Sequence, residues 1–116
     1  MRLARKGIPV IAAAGNRGRD VGDTCPANVN AYRVYTVGSI NWKDKYMGYS
    51  NFGSAVDFAA PGHGILSTFK DGKYAYMSGT SMAAPHAAAV IFLGRGYYST
   101  SGRTWAKNRY IDIISQ

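Results

Sequence analysis

The stretch Ser78–His86 reads S-G-T-S-M-A-A-P-H and is the most informative part of this chain. Gly79 permits a sharp backbone turn that lifts the following side chains out of a preceding strand. Ser81 then falls in the first turn of a helix predicted from about Met82 to Leu93. Unpaired N–H groups and the positive end of the helix dipole favour developing negative charge there. Ser81 is therefore a candidate nucleophile, and the alternative is that it only caps the helix.

A second candidate follows an apolar run near the beginning of the chain. Ile8–Ala14 is a continuous run of small and apolar residues, which is typical of a strand buried on both faces of a parallel sheet. Gly15 and Asn16 come next, at the carboxyl edge of this strand, where ligands bind in open α/β sheets. The amide of Asn16 could donate a hydrogen bond to an oxyanion. The alternative is that the two residues form only a turn.

The rest of the sequence predicts an α/β unit that spans residues 1–116, because it shows no internal repeat and no linker. The Asp71-Gly72 pair between two apolar runs predicts a β-hairpin. The predicted elements are strands at Tyr32–Ile40 and Ala55–Ala59, the hairpin formed by Ile65–Phe69 and Tyr74–Met77, and a final amphipathic helix at about Thr104–Ile114.

Composition excludes several classes of protein. No apolar run reaches the roughly 18–20 residues that a membrane helix needs, and Met1–Val10 lacks the apolar core of a signal peptide. The net charge of +8 comes from scattered residues without a nucleic-acid motif, so a solvated face is favoured over a basic nucleic-acid-binding module. The one cysteine, Cys25, is either a buried thiol or has its partner outside this chain.

Five segments of the chain, taken in series, resemble the subtilisin-like serine proteases (peptidase family S8). They appear in the order that the family has and extend over roughly residues 5 to 93, and the last of them is highly specific. The segments are GIPVIAAAGN at residues 7–16, YTVG at 35–38, YSNFG at 49–53, DFAAPG at 57–62 and GTSMAAPH at 79–86.

The resemblance implies a partial parallel-sheet subtilisin-like fold with a short β-hairpin before the nucleophile helix. The chain would be the C-terminal part of a catalytic domain that hydrolyses peptide bonds through an acyl-serine intermediate. Ser81 would be the nucleophile, and Asn16 would donate to the oxyanion together with the backbone N–H of Ser81. Ala13, Ala14 and Gly15 would line one wall of the pocket for the side chain before the cleaved bond.

The catalytic base and its orienting acid are the main departure from the family, whose chain order is Asp, then His, then Ser. Both earlier motifs would lie before Met1, so the missing N-terminal half is an expected partner and the chain alone is expected to have negligible turnover. His86 lies about 140° around the helix from Ser81 and faces away from it. His63 lies in a loop that the family does not use for catalysis.

The resemblance also implies a polypeptide substrate, an extracellular location and no cofactor for the chemistry. Composition and charge argue against nucleic acid and a membrane as partners. Asp57, with carbonyls near Tyr32 and Val34, resembles a weak cation site of some members, and an ordinary surface aspartate is the alternative. No metal site is assigned in this chain, although the resemblance allows a structural calcium ion in the full-length protein. The rival interpretation is a non-catalytic remnant that recognises extended peptide by strand pairing.

Overall fold

The computed structural model describes residues 2–115, which form two α-helices and seven strands. Two short 3-10 helices, Val21–Asp23 and Lys70–Gly72, lie between them. The elements are α1 (Arg2–Arg5), β1 (Val10–Ala13), β2 (Val34–Ile40), β3 (Phe58–Pro61), β4 (Ile65–Phe69), β5 (Lys73–Met77), α2 (Thr80–Leu93), β6 (Ser99–Trp105) and β7 (Tyr110–Ser115).

The main sheet has five strands in the order β1-β2-β3-β7-β6. The pairs β1–β2, β2–β3 and β3–β7 are parallel, and β6 runs antiparallel to β7. Val10 lies opposite Val34, and Val37 lies opposite Phe58. The predicted α/β class with a parallel sheet is therefore confirmed, and the carboxyl ends of β1, β2 and β3 share one edge of the sheet.

Helix α2 packs across this sheet through a stripe of small side chains. Ala83, Ala87 and Ile91 recur at a spacing of four residues and are buried, which is the periodicity of one helix face. The other face of the sheet has its own buried cluster, so neighbouring residues such as Ala59 and Ala60 pack on opposite sides. Burial on both faces explains why these strands read as continuous apolar runs.

The hairpin predicted ahead of the helix is confirmed. β4 and β5 pair antiparallel in a separate two-stranded sheet, with Phe69 opposite Lys73. Asp71 and Gly72 in the connection have φ angles of 60° and 69°, the left-handed conformation that Asp-Gly pairs adopt readily in hairpin turns.

The predicted helix at Thr104–Ile114 is wrong, because this segment forms the end of β6, the connection and most of β7. Ile111 and Ile113 alternate along β7 and are both buried, which satisfies a strand period of two. Ile113 also pairs with Ala59 of β3, so the tail completes the main sheet. The β-branched residues of this segment suit a pleated surface better than a helix face.

Smaller corrections concern the third strand and the cysteine. β3 begins at Phe58 rather than at Ala55. Cys25 is exposed, so the interpretation of its thiol as buried is wrong. Among the described residues, the helices are too short or too polar to cross a bilayer.

Candidate active site

The side chain of Asn16 lies against the beginning of α2. The backbone N–H of Thr80 donates to Asn16 Oδ1 at 2.8 Å, and Thr80 Oγ1 donates to the same oxygen at 3.0 Å. These bonds join residues that are 64 positions apart in sequence, so Asn16 is more than a local turn residue. Because Oδ1 accepts both bonds, the Nδ2 group is the end of the amide that remains available to donate to a ligand.

Thr80 is the residue that fixes this arrangement, and sequence reasoning missed it. Its side chain is fully buried, and its Oγ1 also accepts a hydrogen bond from Gly15 N at 3.0 Å. One hydroxyl therefore accepts from the loop that follows β1 and donates to the amide of Asn16. A threonine directly before a candidate nucleophile was the only signal in the sequence.

Glycine at position 79 allows the amide to approach the helix this closely. Gly79 has φ 156° and ψ 165°, a region that is open essentially only to glycine. A Cβ on Gly79 would lie 3.3 Å from Asn16 Nδ2. A Cβ on the neighbouring Gly62 would lie 2.7 Å from the carbonyl oxygen of Gly79. The turn that was predicted from Gly79 is therefore present, and it leaves room for the Asn16 side chain.

Ser81 is the second residue of α2 and is exposed. Its backbone N–H belongs to the first helical turn, whose N–H groups have no partner within the helix. Ser81 lines an open groove of about 410 Å³ between α2 and the β4–β5 hairpin. The apolar residues of this groove are Ile65, Leu66, Met77, Met82, Pro85 and Ala89.

Neither histidine is placed to activate Ser81 within the described part of the chain. His86 also lines the groove, but its Nδ1 lies 2.8 Å from the carbonyl oxygen of Met82 and bonds to its own helix. His63 lies beside Tyr49, with ring centroids 6.0 Å apart. No hydrogen bond joins either imidazole to Ser81 in residues 2–115.

A second depression, of about 310 Å³, has Asn16 and Gly15 in its wall. The other two small residues predicted for the substrate pocket do not line it. Ala14 is fully buried in the core, and Ala13 is partly buried in β1. The lining residues are Gly15, Asn16, Arg17, Arg19, Asp23, Thr24, Cys25 and Asn51.

Asn51 shapes the loop around this depression and was also missed in the sequence. Its buried side chain donates to the Ala14 carbonyl at 3.0 Å. Its Oδ1 accepts from the backbone N–H groups of Arg17 and Arg19 at 3.0 and 3.1 Å. Nothing local in the sequence marks Asn51 for this role, because its partners are more than thirty positions away.

Asp57, the candidate cation ligand, is partly buried and already bonded. Its Oδ2 accepts from the backbone N–H of Thr36 at 2.8 Å. Burial raises the pKa of the Asp57 carboxyl above its ordinary value, while the bond from Thr36 and the charge of Arg109 lower it. No group of three acidic, histidine or cysteine side chains comes together in residues 2–115.

Proteins of one known family are similar to this chain. The sequence model described as the Subtilase family matches residues 1–111. A subtilisin-like protease of Coccidioides posadasii is 49% identical over 114 residues, which cover 94% of this chain and 28% of that protein. Thermitase of Thermoactinomyces vulgaris is 44% identical over 101 residues, which cover 85% of this chain and 33% of thermitase.

Solved structures agree with the sequence comparison. The crystal structure of a cold adapted subtilisin-like serine proteinase matches with a TM-score of 0.73 and 44% sequence identity. The match covers 78% of this chain and 32% of that structure. The chain therefore spans about a third or less of the length of the proteins that it resembles.

Proposed function

The chain belongs to the subtilase family, and we propose that it supplies the nucleophile and the oxyanion donor of a serine endopeptidase. The reaction is peptide-bond hydrolysis through an acyl-serine intermediate. The observation that carries the proposal is the fixed amide of Asn16, whose Oδ1 accepts two hydrogen bonds from Thr80 directly before Ser81.

The proposed chemistry begins when Ser81 Oγ attacks the scissile carbonyl carbon. The carbonyl oxygen becomes negatively charged, and Asn16 Nδ2 and the backbone N–H of Ser81 donate hydrogen bonds to it. Because Thr80 already holds the amide, little reorganisation is needed when the charge develops. The first turn of α2 adds the favourable end of the helix dipole.

Activation of Ser81 is assigned to residues outside this chain. A serine hydroxyl is a weak nucleophile until a base removes its proton. His86 is bonded to its own helix and His63 lies beside Tyr49, so neither serves as that base. We assign the base and its orienting acid to the N-terminal half of the catalytic domain, and we expect negligible turnover from this chain alone.

The proposed substrate is a polypeptide, which is the substrate class that the family implies. Gly15 forms part of the wall of the depression beside Asn16. Ala13 is the last residue of β1, and Ala14 follows it directly before Gly15. No cofactor takes part in this chemistry.

An extracellular location completes the proposal. It is supported by the name of a relative, the extracellular basic protease of Dichelobacter nodosus. That protein is 36% identical over 115 residues, which cover 93% of this chain and 19% of the relative.

The experiment that tests the proposal uses a chimaera in which this chain replaces the corresponding third of thermitase. We expect the chimaera to hydrolyse peptides and to react with a fluorophosphonate at Ser81, whereas the chain alone hydrolyses nothing measurable. A chimaera that folds by circular dichroism but shows neither property contradicts the proposal. If it still binds extended peptides, the non-catalytic remnant is the correct interpretation.

A further inference from the structure

A pocket of about 360 Å³ lies at the end of the main sheet opposite to Ser81 and Asn16. It forms where β1 and β2 begin and where α2 ends. Because α2 has 14 residues, its two ends are about 20 Å apart, so this pocket is separate from the candidate active site. Its lining residues are Pro9, Tyr32, Arg33, Tyr35, Arg95, Gly96 and Tyr97.

The lining contains two arginines and no carboxylate. The ion pair found in residues 2–115 joins Arg103 to Asp112, so neither guanidinium of the pocket has a carboxylate partner in this part of the chain. The pocket is therefore electropositive and suited to an anion.

Arg33 is held in place before any ligand binds. Its Nη1 donates to the Gly7 carbonyl at 2.9 Å, and its Nε donates to Tyr32 Oη at 3.2 Å. The guanidinium carbon also lies 5.4 Å from the centroid of the Tyr32 ring. Nη2 makes no hydrogen bond within residues 2–115, so one edge of a fixed guanidinium remains free to bind an oxyanion.

Arg95 has a free guanidinium at the end of α2. The backbone N–H groups of Arg95 and Gly96 donate to the carbonyls of Phe92 and Ile91, so the last helical turn is capped without the arginine side chain. That side chain makes no hydrogen bond or ion pair in the described residues. The positive charge suits the C-terminal end of the helix dipole, and the hydrogen-bond donors of the guanidinium stay available to a ligand.

Both arginines also adopt the left-handed backbone conformation, with φ angles of 58° for Arg33 and 52° for Arg95. Turn residues such as Asp44 and Asp71 adopt this conformation readily, because a short polar side chain compensates for it locally. Arg95 directly follows the C-cap of α2, where this conformation is common, so of the two arginines it is Arg33 whose backbone is held in an uncommon conformation.

Aromatic rings complete the pocket. Tyr32 and Tyr97 are 78% and 84% exposed, so their rings are available for contact with a ligand. Tyr35 packs against Phe58, with the two ring centroids 5.6 Å apart. Aromatic rings beside two guanidinium groups suit a planar ring that carries an oxyanion.

We propose that this pocket binds a small aromatic oxyanion, namely an aryl phosphate, sulfate or carboxylate. The oxyanion lies between the Arg33 and Arg95 guanidinium groups, and the ring packs against Tyr32 and Tyr97. The site is independent of peptide hydrolysis, and it is defined by the charge and the planarity of its ligand.

Calorimetric titration of the 116-residue chain tests this assignment, with phenyl phosphate as the probe. Inorganic phosphate lacks the ring and phenol lacks the charge, so we expect both to bind more weakly than phenyl phosphate. R33Q and R95Q should each weaken phenyl phosphate binding about tenfold or more, because each removes a charge-assisted hydrogen bond. R95K keeps the charge but loses the planar fork, and it should give an intermediate loss.

The control is K73Q, which removes one positive charge from exposed β5 on a separate sheet. We expect its affinity to equal that of the unchanged chain, with circular dichroism showing the same fold. Equal losses in K73Q and R95Q would show attraction to net charge only and would overturn the site. Unchanged affinity in a folded R33Q or R95Q, or no binding by the unchanged chain, would overturn it as well.

Discussion

The two halves of the candidate active site differ in how firmly the chain holds them. The Asn16 half is fixed by hydrogen bonds. Buried Thr80 donates two of them to the amide of Asn16, and Asn51 donates one to the carbonyl of Ala14 just before the Gly15-Asn16 pair. The Ser81 half is open, because the serine is exposed in an apolar groove and neither histidine of the chain bonds to it. Under the proposed function, this part of the domain supplies a preorganised oxyanion donor, whereas activation of the nucleophile comes from outside it.

Removal of the nucleophile should have the largest effect. In the thermitase chimaera, Ser81→Ala should lower peptide hydrolysis by at least about a thousandfold and abolish fluorophosphonate labelling, because no acyl-serine can form. Ser101→Ala, an exposed serine in β6, is the matched control and should keep full activity. Labelling that survives Ser81→Ala would place the nucleophile elsewhere.

Removal of the oxyanion donor should be the next largest effect. Asn16→Ala should lower kcat by about a hundredfold to a thousandfold, since one preorganised donor is lost. KM should change little, because the bond strengthens only as charge develops. Steady-state kinetics of the chimaera measure both constants, and exposed Asn108→Ala serves as the control. A rise in KM with an unchanged kcat would assign Asn16 to substrate binding instead.

The Thr80 hydroxyl should contribute to both stability and rate. Thr80→Val leaves Gly15 N without its acceptor and removes one bond to Asn16, so the free energy of unfolding should fall by about 1–3 kcal/mol. Denaturant unfolding measures the loss, and kcat should fall with it as the amide loosens. Thr80→Ser keeps the hydroxyl and should restore most of kcat, whereas equal rates in the two variants would show that Thr80 does not position Asn16.

The carboxyl of Asp57 should give the smallest effect, which appears as a pH dependence. Its pKa is raised by burial, so the folded chain keeps this proton to a higher pH than the unfolded chain does. Stability should therefore fall as the pH rises from 3.8 through the raised pKa of the folded state. Urea unfolding of Asp57→Asn at several pH values should not show this decline in stability. Exposed Asp44→Asn is the control and should retain it. The same pH profile for Asp57→Asn and the unchanged chain would contradict the assignment of the decline to Asp57.

The sequence predicted the elements whose signals are local. The apolar run before Gly15 became β1, the Asp71-Gly72 pair marked the hairpin, and the glycine turn before Ser81 marked the beginning of α2. The contact between Asn16 and that helix was expected from family resemblance. Its hydrogen bonds connect residues 64 positions apart, so no local pattern in the sequence indicates it.

The tail shows why other features could not be predicted. The spacing of Trp105, Ile111 and Ile114 fits one side of a helix, but β7 gains pairing with β3 and buries Ile111, Ile113 and Ile114. That pairing is tertiary and leaves no local signature, so a helix period was assigned to a strand. Thr80 and Asn51 were missed for the same reason, since their roles depend on distant partners.

The most direct measurement is a crystal structure of the chimaera after reaction with a peptide phosphonate that mimics the tetrahedral intermediate. Our account predicts a covalent bond from Ser81 Oγ to phosphorus, with one phosphonyl oxygen about 2.7–3.1 Å from Asn16 Nδ2. A phosphonyl oxygen that points away from Asn16, or a phosphorus atom attached to another residue, would contradict it.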